Sequence, residues 1–136
     1  MPAGSASRIG LKLAAVVAVL FGIATIASGG NVLFGGGAPG AGNYVPFIVW
    51  FNFLAGFLYV AAGLGLWLRS AWAPWLALGL AVATAGAFAA LGLHIGAGGA
   101  YEARTVIAMT LRLGVWAGIA ALAIGFDRRQ PRYGRA

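Results

Sequence analysis

The 136-residue chain is 62% hydrophobic and carries nine Lys and Arg against two Asp and Glu, a formal net charge of +7. A soluble domain is about 45–50% apolar and about a quarter charged, and so few charges cannot cover the exterior of one, so most of the surface must face an apolar medium. The length permits one domain holding about four or five spanning helices of about 20 residues each.

The first apolar run, about 9–28, follows Arg8 and precedes the small residues Ala27-Ser28-Gly29. Secretory signals share that pattern, but the run has the length of a spanning helix rather than of a short signal core. Residues 29–44 hold seven glycines and one proline with no charge, which predicts a flexible loop over the membrane surface. The second run, 45–68, opens at Pro46, tolerated in a first turn because its missing N–H would have no helical partner. Trp50 and Trp67 stand near its two ends, as aromatic rings do at the two interfaces of a bilayer. Arg69-Ser70-Ala71 reads as a tight turn, and the third run, 72–95, starts with Trp72, Pro74 and Trp75 at the same interface. After the loop 96–104, the fourth run, 105–126, is expected to stop at Asp127-Arg128-Arg129, whose charges cannot enter hydrocarbon.

The chain is therefore expected to be all-α, a four-transmembrane-helix bundle forming a single integral membrane domain over 1–136 with a basic tail, 127–136. With an even number of spans, Arg8, Lys12, Arg69, Arg128, Arg129, Arg132 and Arg135 share one side, and only Arg104 lies outside a helix on the other. Cytoplasmic flanks retain Lys and Arg, so both termini are expected to be cytoplasmic. The basic residues clustered at the end of the chain read as a membrane anchor rather than a nucleic-acid surface, and no nucleic-acid partner is expected.

Helices in lipid associate where small residues let backbones approach. Gly56 with Gly63, Gly92 with Gly96, and Gly114 with Gly118 recur at such spacings. They are expected to pack helices within the bundle, with a seam between copies as the other use. The aromatic second helix, with Phe47, Trp50, Phe51, Phe53, Phe57 and Tyr59, reads as a packing or lipid face rather than a pigment site.

An ionisable group inside a spanning helix costs about 2.5–3.5 kcal/mol at the centre on insertion scales, so each one asks for a reason. Arg112 lies seven residues into the fourth run and Asn52 seven into the second, both counted from the outer side, so they share a depth of about 10 Å. His94 ends the third run, and Tyr101, Glu102 and Arg104 occupy the loop above. Two readings follow. In one, Asn52, His94, Tyr101, Glu102, Arg104 and Arg112 form an outer-side pocket for an anionic or hydrogen-bonding ligand. In the other each is satisfied without a ligand: Glu102 neutralises Arg112, the expected partner, or Arg104, Asn52 bonds a neighbouring backbone carbonyl, and His94 sits at the water interface.

The segments Gly42–Phe53, GNYVPFIVWFNF, and Gly98–Arg112, GGAYEARTVIAMTLR, resemble patterns in a group of small four-helix bacterial inner-membrane proteins. The helix order is also similar to that of DoxX-like proteins. The resemblance implies the four-helix layout, a bacterial inner-membrane location and an outer-side cluster, and it implies no chemistry.

Several activities find no residues to carry them. Without cysteine there are no disulfides, thiolate metal ligands or thiol redox chemistry. One His and two Met cannot close a metal site, and a haem with two axial histidines would need a second His that only a symmetric partner could supply, so no cofactor is expected. No nucleophile, base and orienting residue occur together. A small multidrug exporter requires a carboxylate inside the membrane, and both acids lie outside the runs. A dual-topology fluoride channel matches in length but lacks the break in its third helix and would not show this charge bias. What remains is a non-enzymatic membrane protein packing with itself or with larger membrane subunits, or a small-ligand or ion carrier using the outer cluster.

Overall fold

A computed structural model describes residues 2–37 and 39–129. Four helices follow one another up and down: α1, Pro2–Phe34; α2, Pro46–Trp67; α3, Ala73–Gly96; and α4, Ala103–Arg129, with one short 3-10 turn, Pro39–Ala41, in the first connection. The segments Arg8–Phe34, Pro46–Trp67, Ala73–Gly96 and Ala103–Arg128 are each long and apolar enough to cross a membrane. The chain is thus an all-helical bundle compatible with a multi-pass membrane protein. Arg132 and Arg135 of the expected tail lie outside the described residues.

Three boundaries differ from expectation by three residues or more, and the first is the start of α1, at Pro2 rather than about 9. The first helix runs six residues beyond 28, through Gly29 and Gly30, because those glycines lie against Phe53 of α2: a methyl on Gly29 would stand 3.1 Å from the Phe53 Cβ. Packing of a neighbouring ring overrides the low helix propensity of the pair, and the glycine-rich loop shrinks to 35–45. At the other end of the chain, α4 passes straight through Asp127 and Arg128 to Arg129. The residue character changes from apolar to charged at Asp127, but the helical backbone hydrogen bonds run on through it, so the stop expected there is a polarity boundary and not a helix end.

The α2–α3 connection is fixed by backbone hydrogen bonds. The Ser70 N–H donates to the Gly65 carbonyl at 2.8 Å and the Arg69 N–H to that of Leu66 at 3.1 Å, with Arg69 at φ 56°. This is a Schellman cap, in which the left-handed position is ordinarily glycine. Helix α3 closes in the same way, with Gly98 at φ 87° and the Gly99 N–H donating to the His94 carbonyl at 2.9 Å.

The principal core joins all four helices around Tyr59, Leu66 and Trp116, with Ala18, Ala62, Ala73 and Ala77 filling the close crossings. A second cluster, Val45, Ile48, Leu91 and Met109, closes the end nearer the glycine-rich loop. Outward-facing residues are also apolar, Leu93 at 77% exposure and Ile107 at 68% among them, as a lipid-facing exterior requires.

The glycines divide into two classes. On the α1–α2 seam a methyl on Gly22 would stand 2.8 Å from the Gly56 carbonyl oxygen, and one on Gly63 2.8 Å from that of Ala15. By contrast, Gly92 and Gly96 of α3 and Gly114 and Gly118 of α4 meet nothing within 4 Å. The intramolecular packing expected of these four is not made, because their faces point away from the bundle.

Arg69 occupies a backbone region that costs a side-chain-bearing residue about 1–2 kcal/mol. Arg69→Gly is therefore expected to raise stability by about 1 kcal/mol, read as a higher thermal midpoint in detergent. An unchanged or lower midpoint would mean that the arginine side chain stabilises the turn by at least as much.

Candidate functional site

The residues expected to form one outer cluster separate into two groups. The first is at the bundle end, in the loops. The Glu102 carboxylate faces the 42–43 backbone, accepting from the Asn43 N–H at 3.4 Å, and lies 3.8 Å from the Arg104 guanidinium. Arg104 also donates to the Gly40 carbonyl at 3.5 Å. Gly42 sits at φ +67°, where a Cβ would stand 3.0 Å from a Glu102 carboxylate oxygen, so glycine there admits the acid to the backbone. His94 Nε2 is 2.9 Å from the Ala100 carbonyl, and a Cβ on Gly99 would overlap its ring. The imidazole also meets Phe47 of α2 edge to face, centroids 6.0 Å apart. Tyr101 is exposed in the same loop. The contacts of Glu102 and Arg104 to Asn43 and Gly40 fasten the two loops together, and with Arg104 66% exposed the ion pair between Glu102 and Arg104 is a screened surface pair.

The second group lies deeper. Arg112 comes nine residues after Ala103, the start of α4, and Thr25 nine before Phe34, the end of α1; at about 1.5 Å per residue both stand about 14 Å inside their helix ends. They meet: Arg112 Nη1 donates to Thr25 Oγ1 at 2.8 Å, and the guanidinium carbon lies 5.1 Å from the centroid of Phe21, one turn earlier on α1. The partner expected for Arg112 was Glu102. That pairing is not made, because Glu102 is held at the loop surface by Arg104 and Asn43. A neutral hydroxyl and an aromatic face take its place, with cation–π attraction strengthened by exclusion of water.

From Phe21 the contacts continue into the core. Phe21 meets Tyr59 edge to face at 5.8 Å, and Tyr59 lies tilted against Trp116 at 4.7 Å. Tyr59 and Trp116 are both fully buried. Trp116 follows Arg112 by one turn of α4, and Asn52 precedes Tyr59 by two turns on the same face of α2. Among the described residues, Asn52 Oδ1, Tyr59 OH, Arg112 Nε and Trp116 Nε1 are buried without a hydrogen-bond partner. Such atoms are costly in an apolar interior. One acceptor, two donors and a hydroxyl able to do either would suit a small polar molecule.

Of the six expected site residues, then, only Arg112 and Asn52 lie within the helices' interior. Thr25, Phe21 and Trp116 were not singled out by sequence, and Tyr59 was read only as part of the aromatic face of the second helix. Their signal is position: Trp116 and Tyr59 sit in the middle of their runs rather than at the ends, where the other tryptophans lie. Comparison with models of protein families, with curated proteins and with solved structures gives no match. The resemblance to small four-helix membrane proteins thus stands on the two quoted segments alone.

The geometry assigns the energetic weight to Thr25 rather than Glu102. Thr25→Val, which leaves the guanidinium without its acceptor, is expected to cost about 1.5–3 kcal/mol, the range for a hydrogen bond to a charged group. Glu102→Gln should cost under about 1 kcal/mol. Arg112→Leu should be milder than Thr25→Val, because the freed hydroxyl can return to a carbonyl one turn back, as Thr84 does to Leu80. Thermal unfolding of these variants and of the Thr25/Arg112 double variant checks the assignment through non-additivity; Glu102→Gln matching Thr25→Val would refute it.

Proposed function

We propose that this chain is a non-enzymatic integral membrane protein that packs through the outer faces of α3 and α4 against copies of itself or against a larger membrane subunit. One observation carries the reading. The bundle has used Gly22, Gly56 and Gly63 to seat α1 on α2, yet Gly114 and Gly118, with Gly125 two turns further on, front open space on α4, and Gly79 and Gly86 do so on α3. Helices in lipid gain from close backbone approach, so unfilled glycine faces suit a further helix. On α1 and α2, by contrast, Gly10, Gly22, Gly29, Gly30, Gly56, Gly63 and Gly65 all meet a neighbouring group within 4 Å; large exposed residues that suit lipid lie on all four helices, Leu13, Leu54, Leu93 and Ile107 among them.

Orientation follows from charge. Arg8, Lys12, Arg69 and Arg128 lie at one end of the bundle and Arg104 at the other, so both termini are proposed to be cytoplasmic, in a bacterial inner membrane. A second reading rests on the unpartnered atoms of Asn52, Tyr59, Arg112 and Trp116: a small-ligand or ion-binding protein whose site is this interior group. His94, Tyr101, Glu102 and Arg104 would then serve only to hold the loops.

Gly118→Leu tests the packing face. With nothing within 4 Å of its Cβ position inside the chain, the variant should fold with the parent's thermal midpoint while losing the parent's oligomer or its co-purifying subunit in mild detergent. If it migrates as the parent does, the contact lies on another face. Reporter fusions at Ala136 test the orientation: activity confined to the cytoplasmic reporter is expected, and activity of an exported reporter would reverse it.

A further inference from the structure

At the basic end, α1 and the α2–α3 turn enclose a pocket of about 370 Å³ lined by Arg8, Lys12, Arg69, Trp67 and neighbouring leucines. Three cations converge there from two elements. Among the described residues none of the three forms an ion pair with an acid. Lys12 Nζ lies 4.9 Å from the centroid of the Trp67 ring, so the ring holds one cation over the opening. Like charges gathered without an acid repel one another, and an anion between them removes that cost.

Directly beyond Trp67 the character changes. A groove of about 280 Å³ continues along the same α1–α2 seam, lined by Val16, Val19, Leu20, Gly63, Leu64 and Trp67 again as the shared wall. On α1 the lining residues Arg8, Lys12, Val16 and Leu20 recur every fourth position, one stripe of one helix face. From Arg8 to Leu20 that stripe measures about 18 Å, against about 15 Å for one leaflet of a ~30 Å hydrocarbon core. Gly63 lies where α1 closes on α2, with the Ala15 carbonyl oxygen 2.8 Å from its Cβ position, and the furrow runs beside that contact.

We propose that this pocket and groove form a binding site for one anionic phospholipid, its phosphate among Arg8, Lys12 and Arg69 and one acyl chain along Val16, Leu20 and Leu64. The proposal rests on the membrane reading above. Charge selects the headgroup, since a zwitterionic lipid brings a cation of its own into a site already holding three. The apolar furrow selects a lipid over a soluble phosphate.

The test is native mass spectrometry of the full chain in mild detergent with equal amounts of dioleoyl phosphatidylglycerol and dioleoyl phosphatidylcholine. The parent is expected to retain phosphatidylglycerol about tenfold more often than phosphatidylcholine, equivalent to about 1.4 kcal/mol. The Arg8→Gln/Lys12→Gln/Arg69→Gln variant should lose the preference, while Arg128→Gln, a charge removed at the same end but outside the pocket, should keep it. Equal retention of the two lipids by the parent overturns the site without recourse to any variant. Displacement of the lipid by excess inorganic phosphate would overturn the acyl half. Co-flotation with phosphatidylcholine vesicles reads insertion separately: a chain that floats yet shows no preference overturns the lipid site alone, and a chain that does not float overturns the membrane reading with it.

Discussion

The fold depends on the near contact of two backbones, α1 and α2, at Gly22, Gly56 and Gly63. Helices surrounded by apolar solvent gain little from burying more apolar surface, so close van der Waals approach must hold them together. Three features elsewhere follow from that approach. It brings Phe21 to Tyr59 and so sets Thr25 within reach of Arg112. It lays Gly29 and Gly30 on Phe53, which carries α1 past its expected end. It also lays Lys12 over Trp67 at the opposite end. One seam thus fixes the inner polar contact, the length of the first helix and the cationic pocket.

The polar residues follow two different physical regimes. In the loops, Glu102, Arg104 and His94 work through backbone carbonyls and amides in reach of water, where each contact is weak and their number matters. Inside the bundle, Arg112 has a single hydroxyl partner and an aromatic face, and neighbouring polar atoms go unmatched. There each contact is strong because nothing competes with it. Sequence distance conceals the division: Glu102 and Arg112 are ten residues apart, but the helix between them separates an aqueous edge from an apolar interior.

Helix number, the α2–α3 turn and the two central helices were legible in the sequence, since they rest on apolar run length and on Trp, Pro and Arg at the ends of runs. The extension of α1 was not legible. Gly29 and Gly30 look like loop residues until Phe53 is known to lie on them, a contact between positions more than twenty residues apart. The same limit governs the glycines. Spacing marked Gly56, Gly63, Gly114 and Gly118 alike, and only the arrangement of helices distinguishes the seated pair from the open one. Arg112 and Asn52 were visible as anomalies of polarity, whereas Thr25 was not, because a threonine in an apolar helix ordinarily bonds its own backbone.

The unequal lengths of the helices bear on how the bundle responds to the thickness of its surroundings. At about 1.5 Å per residue, the 22 residues of α2 span about 33 Å, while the 33 of α1 and 27 of α4 exceed a hydrocarbon core of about 30 Å by a wide margin. In the membrane setting proposed for the chain, a thicker bilayer would therefore find slack in the first and last helices and none in α2. Hydrophobic mismatch would concentrate on the helix that carries Gly56, Gly63 and Tyr59, and change of tilt at that helix is the route by which lipid thickness would reach the interior of the protein.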